Sequence, residues 1–157
     1  MKEHPIIFRA EMVRAILAGR KTQTRRIVKP RKDRAIGCEL ACHELAGEVN
    51  AGDYLNAPWA PGDWLWVRES IHMPRWASRI TLEITGVRVE RLQEISTVDA
   101  LAEGVNVHPD HHGKPRSSLY SPVQAYADLW EQINGLESWA ANPWVWVIEF
   151  KKLEQAL

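Results

Sequence analysis

Cysteine is scarce in this chain, with only Cys38 and Cys42 among 157 residues. Two cysteines make no disulfide framework. Phenylalanine is equally scarce, at two. No run of eighteen apolar residues occurs, so no membrane-spanning helix is expected. The segment Met1–Arg14 has no apolar core and no small-residue cleavage site, so it does not read as a secretory signal. A cytoplasmic location is the expectation. Repeats and low-complexity tracts are absent, which sets aside solenoid and fibrous architectures. Net charge is also absent, with 20 basic residues against 20 acidic ones.

What is present points to one domain spanning residues 1–157, since this length gives a single real core. The balanced charge is unevenly spread. Residues 1–34 carry eleven Lys or Arg against Glu3, Glu11 and Asp33, about +8 by count, and the rest of the chain carries nine against seventeen, about −8. Such a basic segment is either a phosphate-binding face or a solvated loop. Tryptophan is abundant, at eight. Trp64 and Trp66 alternate with Leu65 and Val67, and Trp144 and Trp146 with Val145 and Val147. That period of two is strand patterning, and it places at least one Trp of each pair in the core. Trp76 and Trp139 lie in loop-like sequence and are candidates for an exposed platform on which a base stacks.

Hydrophobic spacing predicts a helix over Phe8–Ala18, with the stripe Met12, Val13, Ile16 and Leu17 and a stop at Gly19. A strand follows at Gln23–Val28. Pro61-Gly62-Asp63 marks a turn into the strand Trp64–Glu69. Ile80–Val89 reads as a strand bent at Gly86. Ser96 opens a short helix, and Ser121-Pro122 caps one running to Ile133 with Gly135 beyond it. Trp144–Phe150 is the last strand. Polar loops are expected at about 30–60 and 106–120. The fold class is α+β: a small, mostly antiparallel β-barrel with flanking helices.

Gly19-Arg20-Lys21-Thr22-Gln23-Thr24-Arg25-Arg26 fits the pattern Gly-x-Lys-x-x-x-x-Arg. It follows an amphipathic helix, a Pro-Gly-Asp turn precedes a strand, and the chain nears its end in Trp-Val-Ile-Glu-Phe. Together these features resemble the ASCH family of the PUA-like superfamily, in particular its longer bacterial and prophage members. The resemblance implies a cleft for RNA or a modified nucleoside, formed by the Gly-Arg-Lys-Thr segment against the barrel. The smallest bacterial members include an amidohydrolase of N4-acetylcytidine that uses a Lys, a Thr and a Glu. Lys21 and Thr24 match the first two in type and spacing, and Glu103 matches the third by order along the chain. Gly19, Arg20, Arg25, Arg26, Trp76 and Trp139 are then the candidate substrate-binding residues. A metal-dependent single-strand ribonuclease and a non-catalytic RNA-binding module are the alternatives.

The residue chemistry fits this reading. Thr24 offers a hydroxyl, and a desolvated Lys21 crowded by Arg20, Arg25 and Arg26 has its neutral form favoured. Glu103 can orient the amine or relay a proton. One geometric condition applies. Residues three apart on a regular strand face opposite sides, so Lys21 and Thr24 converge only if Gly19–Thr24 turns or bulges. No cofactor is expected. Cys38, Cys42 and His43, with His108, His111 and His112, are the only soft and imidazole clusters, and their spacing is not a strong metal signature.

Overall fold

A computed structural model describes residues 1–105 and 120–154. Its main sheet has five strands: β1 (Glu3–Ile7), β2 (Gln23–Ile27), β5 (Trp64–Arg68), β6 (Thr81–Arg91) and β7 (Trp144–Lys152). Their order is β1-β5-β6-β7-β2. All neighbours are antiparallel except β1 and β5, which run parallel. A two-stranded ribbon joins β3 (Arg31–Lys32) to β4 (Glu39–Leu40). The described residues also form four α-helices: α1 (Ala10–Leu17), α2 (Cys42–Asn50), α3 (Thr97–Ala102) and α4 (Pro122–Asn134).

The α+β class and the mostly antiparallel sheet match the expectation, but closure does not. Among the described residues no ladder joins the end strands β1 and β2. Side chains span that seam instead: Arg26 Nη2 donates to the Ile7 carbonyl at 3.1 Å. The barrel is therefore an open sheet whose edges meet through a guanidinium.

The centre of the sheet is buried on both faces, which explains the near-continuous apolar run of β7. Trp146, Ile148 and Phe150 enter one core with Leu65, Val67, Leu82 and Ile84. Val145 and Val147 enter a second core beneath α3 and α4, with Leu92, Tyr126 and Trp130. Trp146 is the core indole of its pair. Trp64 and Trp66 are both only half-buried, because Leu65 and Val67 take the inward positions of β5. The bend expected at Gly86 is a register shift between β6 and β7. A Cβ there would stand 2.8 Å from Glu149 Oε2, so only glycine fits without movement.

The loop expected at about 30–60 is partly regular. Residues 42–50 form α2, whose Leu45, Ala46 and Val49 enter the first core. Burying Leu45 and Val49 contributes about 1.5–3 kcal/mol each, ample reason for the segment to order. Strand β1 was not expected either. Most of the loop expected at 106–120, with His108, His111 and His112, lies outside the described residues. Cys38 is exposed, Cys42 is half-buried, and both are free thiols.

Candidate functional site

The site begins where α1 ends. Gly19 adopts φ +76°, which L side chains rarely take, and turns the chain sharply. The Arg20 and Lys21 N–H groups both donate to the Ala15 carbonyl, at 2.9 and 3.1 Å. The Thr22 N–H donates to the Ala102 carbonyl at 2.8 Å, tying this turn to the end of α3. Glu103, the next residue, is thereby set against Lys21 across 82 positions of sequence. Lys21 thus precedes β2 rather than lying in it, and the convergence with Thr24 is met by a turn.

A cleft of about 430 Å³ opens here, within the range usual for small-molecule sites. Lys21, Thr24, Arg25, Arg26 and Glu103 all line it. Its walls are largely apolar: Phe8 and Met12 stand on the α1 side, and Tyr126, Leu129, Trp130 and Ile133 come from α4. A charged floor under apolar walls suits a flat, uncharged group carrying a few polar atoms.

Lys21 Nζ contacts three acceptors: the Gln23 carbonyl at 2.8 Å, Glu103 Oε2 at 2.9 Å and the Glu103 carbonyl at 3.0 Å. They match the three hydrogens of an ammonium group. Burial pushes the Lys21 pKa down, Glu103 opposes this, and Arg26 and Arg25 add to the lowering. No hydrogen bond links Lys21 to Thr24 among the described residues. Thr24 Oγ1 instead accepts from Arg26 Nη1 at 2.8 Å. Its own hydrogen stays available to donate.

Arg25 forms the back of this floor, its side chain buried. Its Nη1 donates to Glu103 Oε1 at 2.9 Å and Gln23 Oε1 at 2.5 Å, and its Nη2 to Glu90 Oε1 at 2.7 Å and Asp99 Oδ2 at 3.3 Å. Burial alone would lower its pKa, but Glu103 and Glu90 outweigh that and raise it. Arg88 carries the network outward to Asp99, Glu90 and Glu149. Arg25 therefore holds Glu103, and its four Nη hydrogens have no room for a ligand. Arg26 lies over the Phe8 ring, 5.2 Å from its centroid. Burial lowers its pKa and Glu103 opposes this.

The remaining sequence candidates lie outside the cleft lining. Gly19 shapes the turn, and Arg20 is exposed, with Nη1 donating to the Gly104 carbonyl at 3.4 Å. Trp76 is 86% exposed. Trp139 packs edge-on against Tyr126, with centroids 6.3 Å apart, as part of the second core. Neither indole lines the cleft. Sequence reasoning missed Tyr126 and Trp130 as cleft residues, although both lie on the helix it placed up to Ile133 and both are buried there. Among the described residues no group of three or more His, Cys, Asp or Glu side chains converges to hold a metal.

Neither a family model nor a curated protein matches the sequence. Two solved structures share its architecture. The ASCH domain from Lactobacillus crispatus JV V101 has a TM-score of 0.52 at 14% identity, covering 96% of this chain and 79% of that one. The hypothetical protein PH0355 has a TM-score of 0.50 at 15% identity, covering 98% of this chain and 100% of that one. At such identities the likeness is one of fold, and it shows that this chain has the α+β fold of an ASCH domain.

Proposed function

We propose that this chain, which has the fold of an ASCH domain, binds a modified nucleoside or RNA in the cleft and hydrolyses the amide of an N4-acylated cytidine. One observation carries the reading: Lys21, Thr24 and Glu103, matched from sequence alone, line one cleft whose walls are apolar. The cytosine ring and the acyl group meet the apolar walls, and the amide meets the charged floor.

In this reading Thr24 Oγ adds to the acyl carbon, and its proton passes to the Lys21–Glu103 pair. Arg26 Nη1, already 2.8 Å from that oxygen, favours its developing negative charge. The bond from acyl carbon to N4 breaks as N4 takes the proton back, releasing cytidine. Water then cleaves the threonine ester, which yields the carboxylic acid and restores the hydroxyl. Arg25 keeps the Glu103 carboxylate in place throughout.

The test is incubation of the purified protein with N4-acetylcytidine and, separately, with a labelled single-stranded RNA, each with and without EDTA. Cytidine release that survives EDTA and is lost in Lys21→Ala supports the reading. RNA cleavage abolished by EDTA supports a metal-dependent nuclease in its place. Binding without either product leaves a module that recognises but does not turn over.

A further inference from the structure

Hydrogen-bonding groups beyond Lys21, Thr24 and Glu103 also line the cleft: the Arg25 Nε–H has no acceptor among the described residues, and α4 adds two more. Tyr126 is 4% exposed and lines the cleft, and its hydroxyl has no hydrogen-bond partner among the described residues. Trp130, one turn further along, lines the same wall, and its buried indole N–H also lacks an acceptor. The Tyr126 ring packs against Trp130 and Trp139, contacts that a phenylalanine would also make, so packing alone does not require the hydroxyl.

The donors on the floor are largely committed. Lys21 places three hydrogens on three protein acceptors. Arg25 places its Nη hydrogens on Gln23, Glu90, Asp99 and Glu103. Arg26 donates to Thr24 Oγ1, the Arg25 carbonyl and the Ile7 carbonyl. Tyr126 stands beside this cluster: the Arg25 guanidinium carbon lies 6.0 Å from its ring centroid.

We propose that the Tyr126 hydroxyl is a catalytic hydrogen-bond donor, which holds the carbonyl oxygen of the scissile amide as that oxygen becomes an oxyanion. The proposal rests on the amide-hydrolysis reading. When Thr24 Oγ adds to the acyl carbon, the carbonyl π pair moves onto oxygen, and Tyr126 donates to it. Collapse restores the carbonyl as the bond to N4 breaks, with N4 protonated by the Lys21–Glu103 pair. Tyr126 keeps its own proton. Burial pushes its pKa well above the ordinary value, with Glu103 adding to the rise and Arg25 and Arg26 opposing it, so the phenol remains a neutral donor. A preorganised donor of this kind, shielded from water, acts on the transition state more than on the ground state.

The experiment compares wild type with Tyr126→Phe on N4-acetylcytidine, alongside urea unfolding of both proteins. The expected result is a kcat lower by about 10²-fold, with KM within about threefold and an unfolding midpoint unchanged. A hydroxyl with a merely structural role gives the reverse pattern, full kcat with a lowered midpoint, and would overturn the proposal. If the wild type releases no cytidine, the amide reading fails by itself. The hydroxyl is then judged by tryptophan fluorescence titration with N4-acetylcytidine. Binding about tenfold weaker in Tyr126→Phe keeps it as a donor to the ligand carbonyl. Equal affinity, or no binding by the wild type, sinks it.

Discussion

Lys21 Nζ and Glu103 Oε2 lie 2.9 Å apart, and each side chain is only 3% exposed. Two charges so far from water are tolerated because each has further partners: backbone carbonyls for the amine, and Arg25 for the carboxylate. Removing one partner of such a pair leaves the other buried and uncompensated. Glu103→Gln strips the anion from both Lys21 and Arg25, and is expected to destabilise the fold by about 3–5 kcal/mol. Lys21→Met leaves Glu103 still paired with Arg25, so its cost is smaller, about 1–3 kcal/mol. The double variant should lose less than the sum of the singles, by more than about 0.5 kcal/mol. Urea unfolding of the four proteins gives the cycle, and simple additivity would show that the pair is not coupled.

The lowered pKa of Lys21 has a consequence at alkaline pH. Its ordinary value is 10.5, and burial depresses it in the folded state. Between the folded pKa and 10.5 the unfolded chain carries a proton that the folded one lacks. Stability therefore rises with pH across that window, as the cost of the buried cation is relieved. Below the folded pKa that cost is present in full. Subtracting the stability profile of Lys21→Met from that of wild type isolates this slope, which should be positive there. A flat difference curve would mean that the folded value is not depressed. On the amide-hydrolysis reading with the neutral amine as the working form, turnover of N4-acetylcytidine should climb as pH rises through the folded pKa and level off above it.

Much of this architecture is legible in the residue pattern, and the exceptions have physical causes. The stripes of α1 and α4, the Ser121 cap, the bend at Gly86 and the run of β7 follow from local periodicity. Strand β1 does not, because its parallel partner lies some sixty residues away and Pro5 interrupts its pattern. Helix α2 was obscured because its short stripe, Leu45, Ala46 and Val49, surrounds a glycine. At the cleft, the motif pointed to Lys21 and Thr24 and chain order to Glu103, and all three line it. The interior position of Arg25 was hidden. A charged residue reads as solvated unless its counter-charges are known, and Glu90, Asp99 and Glu103 lie 65, 74 and 78 residues away. The basic excess of residues 1–34 is thus partly internal, spent on Lys21 and Arg25 rather than on a surface field.

Asp63 supports a second prediction about pH. Its carboxylate accepts from the Lys2 N–H at 2.8 Å, from the Ala60 N–H at 3.2 Å and from His4 Nε2 at 3.3 Å. These contacts bind the start of β1 to the turn before β5. Burial alone would raise the Asp63 pKa, but the Lys2 N–H, His4 and the Ala60 N–H outweigh it and hold the carboxyl below its ordinary 3.8. A depressed carboxyl contributes stability that is present above the unfolded value and is lost as pH falls through the folded one. Asp63→Ala should therefore cost about 1–3 kcal/mol at neutral pH and progressively less below about pH 4. Thermal melts of the variant and the wild type at neutral and acid pH would show the gap narrowing, and a gap constant with pH would remove the carboxylate from the explanation.

Gly104 offers a way to disturb the site without changing any charged group. It follows Glu103 directly and adopts φ +84°, where an L side chain is strained. A Cβ built there stands 3.0 Å from both Lys21 Cβ and Ala15 Cβ. Those neighbours are held in turn: the Ala15 carbonyl anchors the Arg20 and Lys21 N–H groups, and Lys21 Nζ is fixed by its three acceptors. Gly104→Ala thus combines an unfavourable backbone conformation with a push on the stem of Lys21. The conformational strain alone costs about 1–3 kcal/mol. The push should lengthen the Lys21–Glu103 contact, and on the amide-hydrolysis reading a misplacement of about 1 Å can cost on the order of 10²-fold in rate. Gly62→Ala is the matched control. It shares the left-handed φ, at +91°, but meets nothing within 4 Å. It should lose similar stability and, on the amide-hydrolysis reading, keep its kcat on N4-acetylcytidine. If the two variants lost stability and rate in equal measure, the approach of Gly104 to Lys21 would have no special role in setting the site.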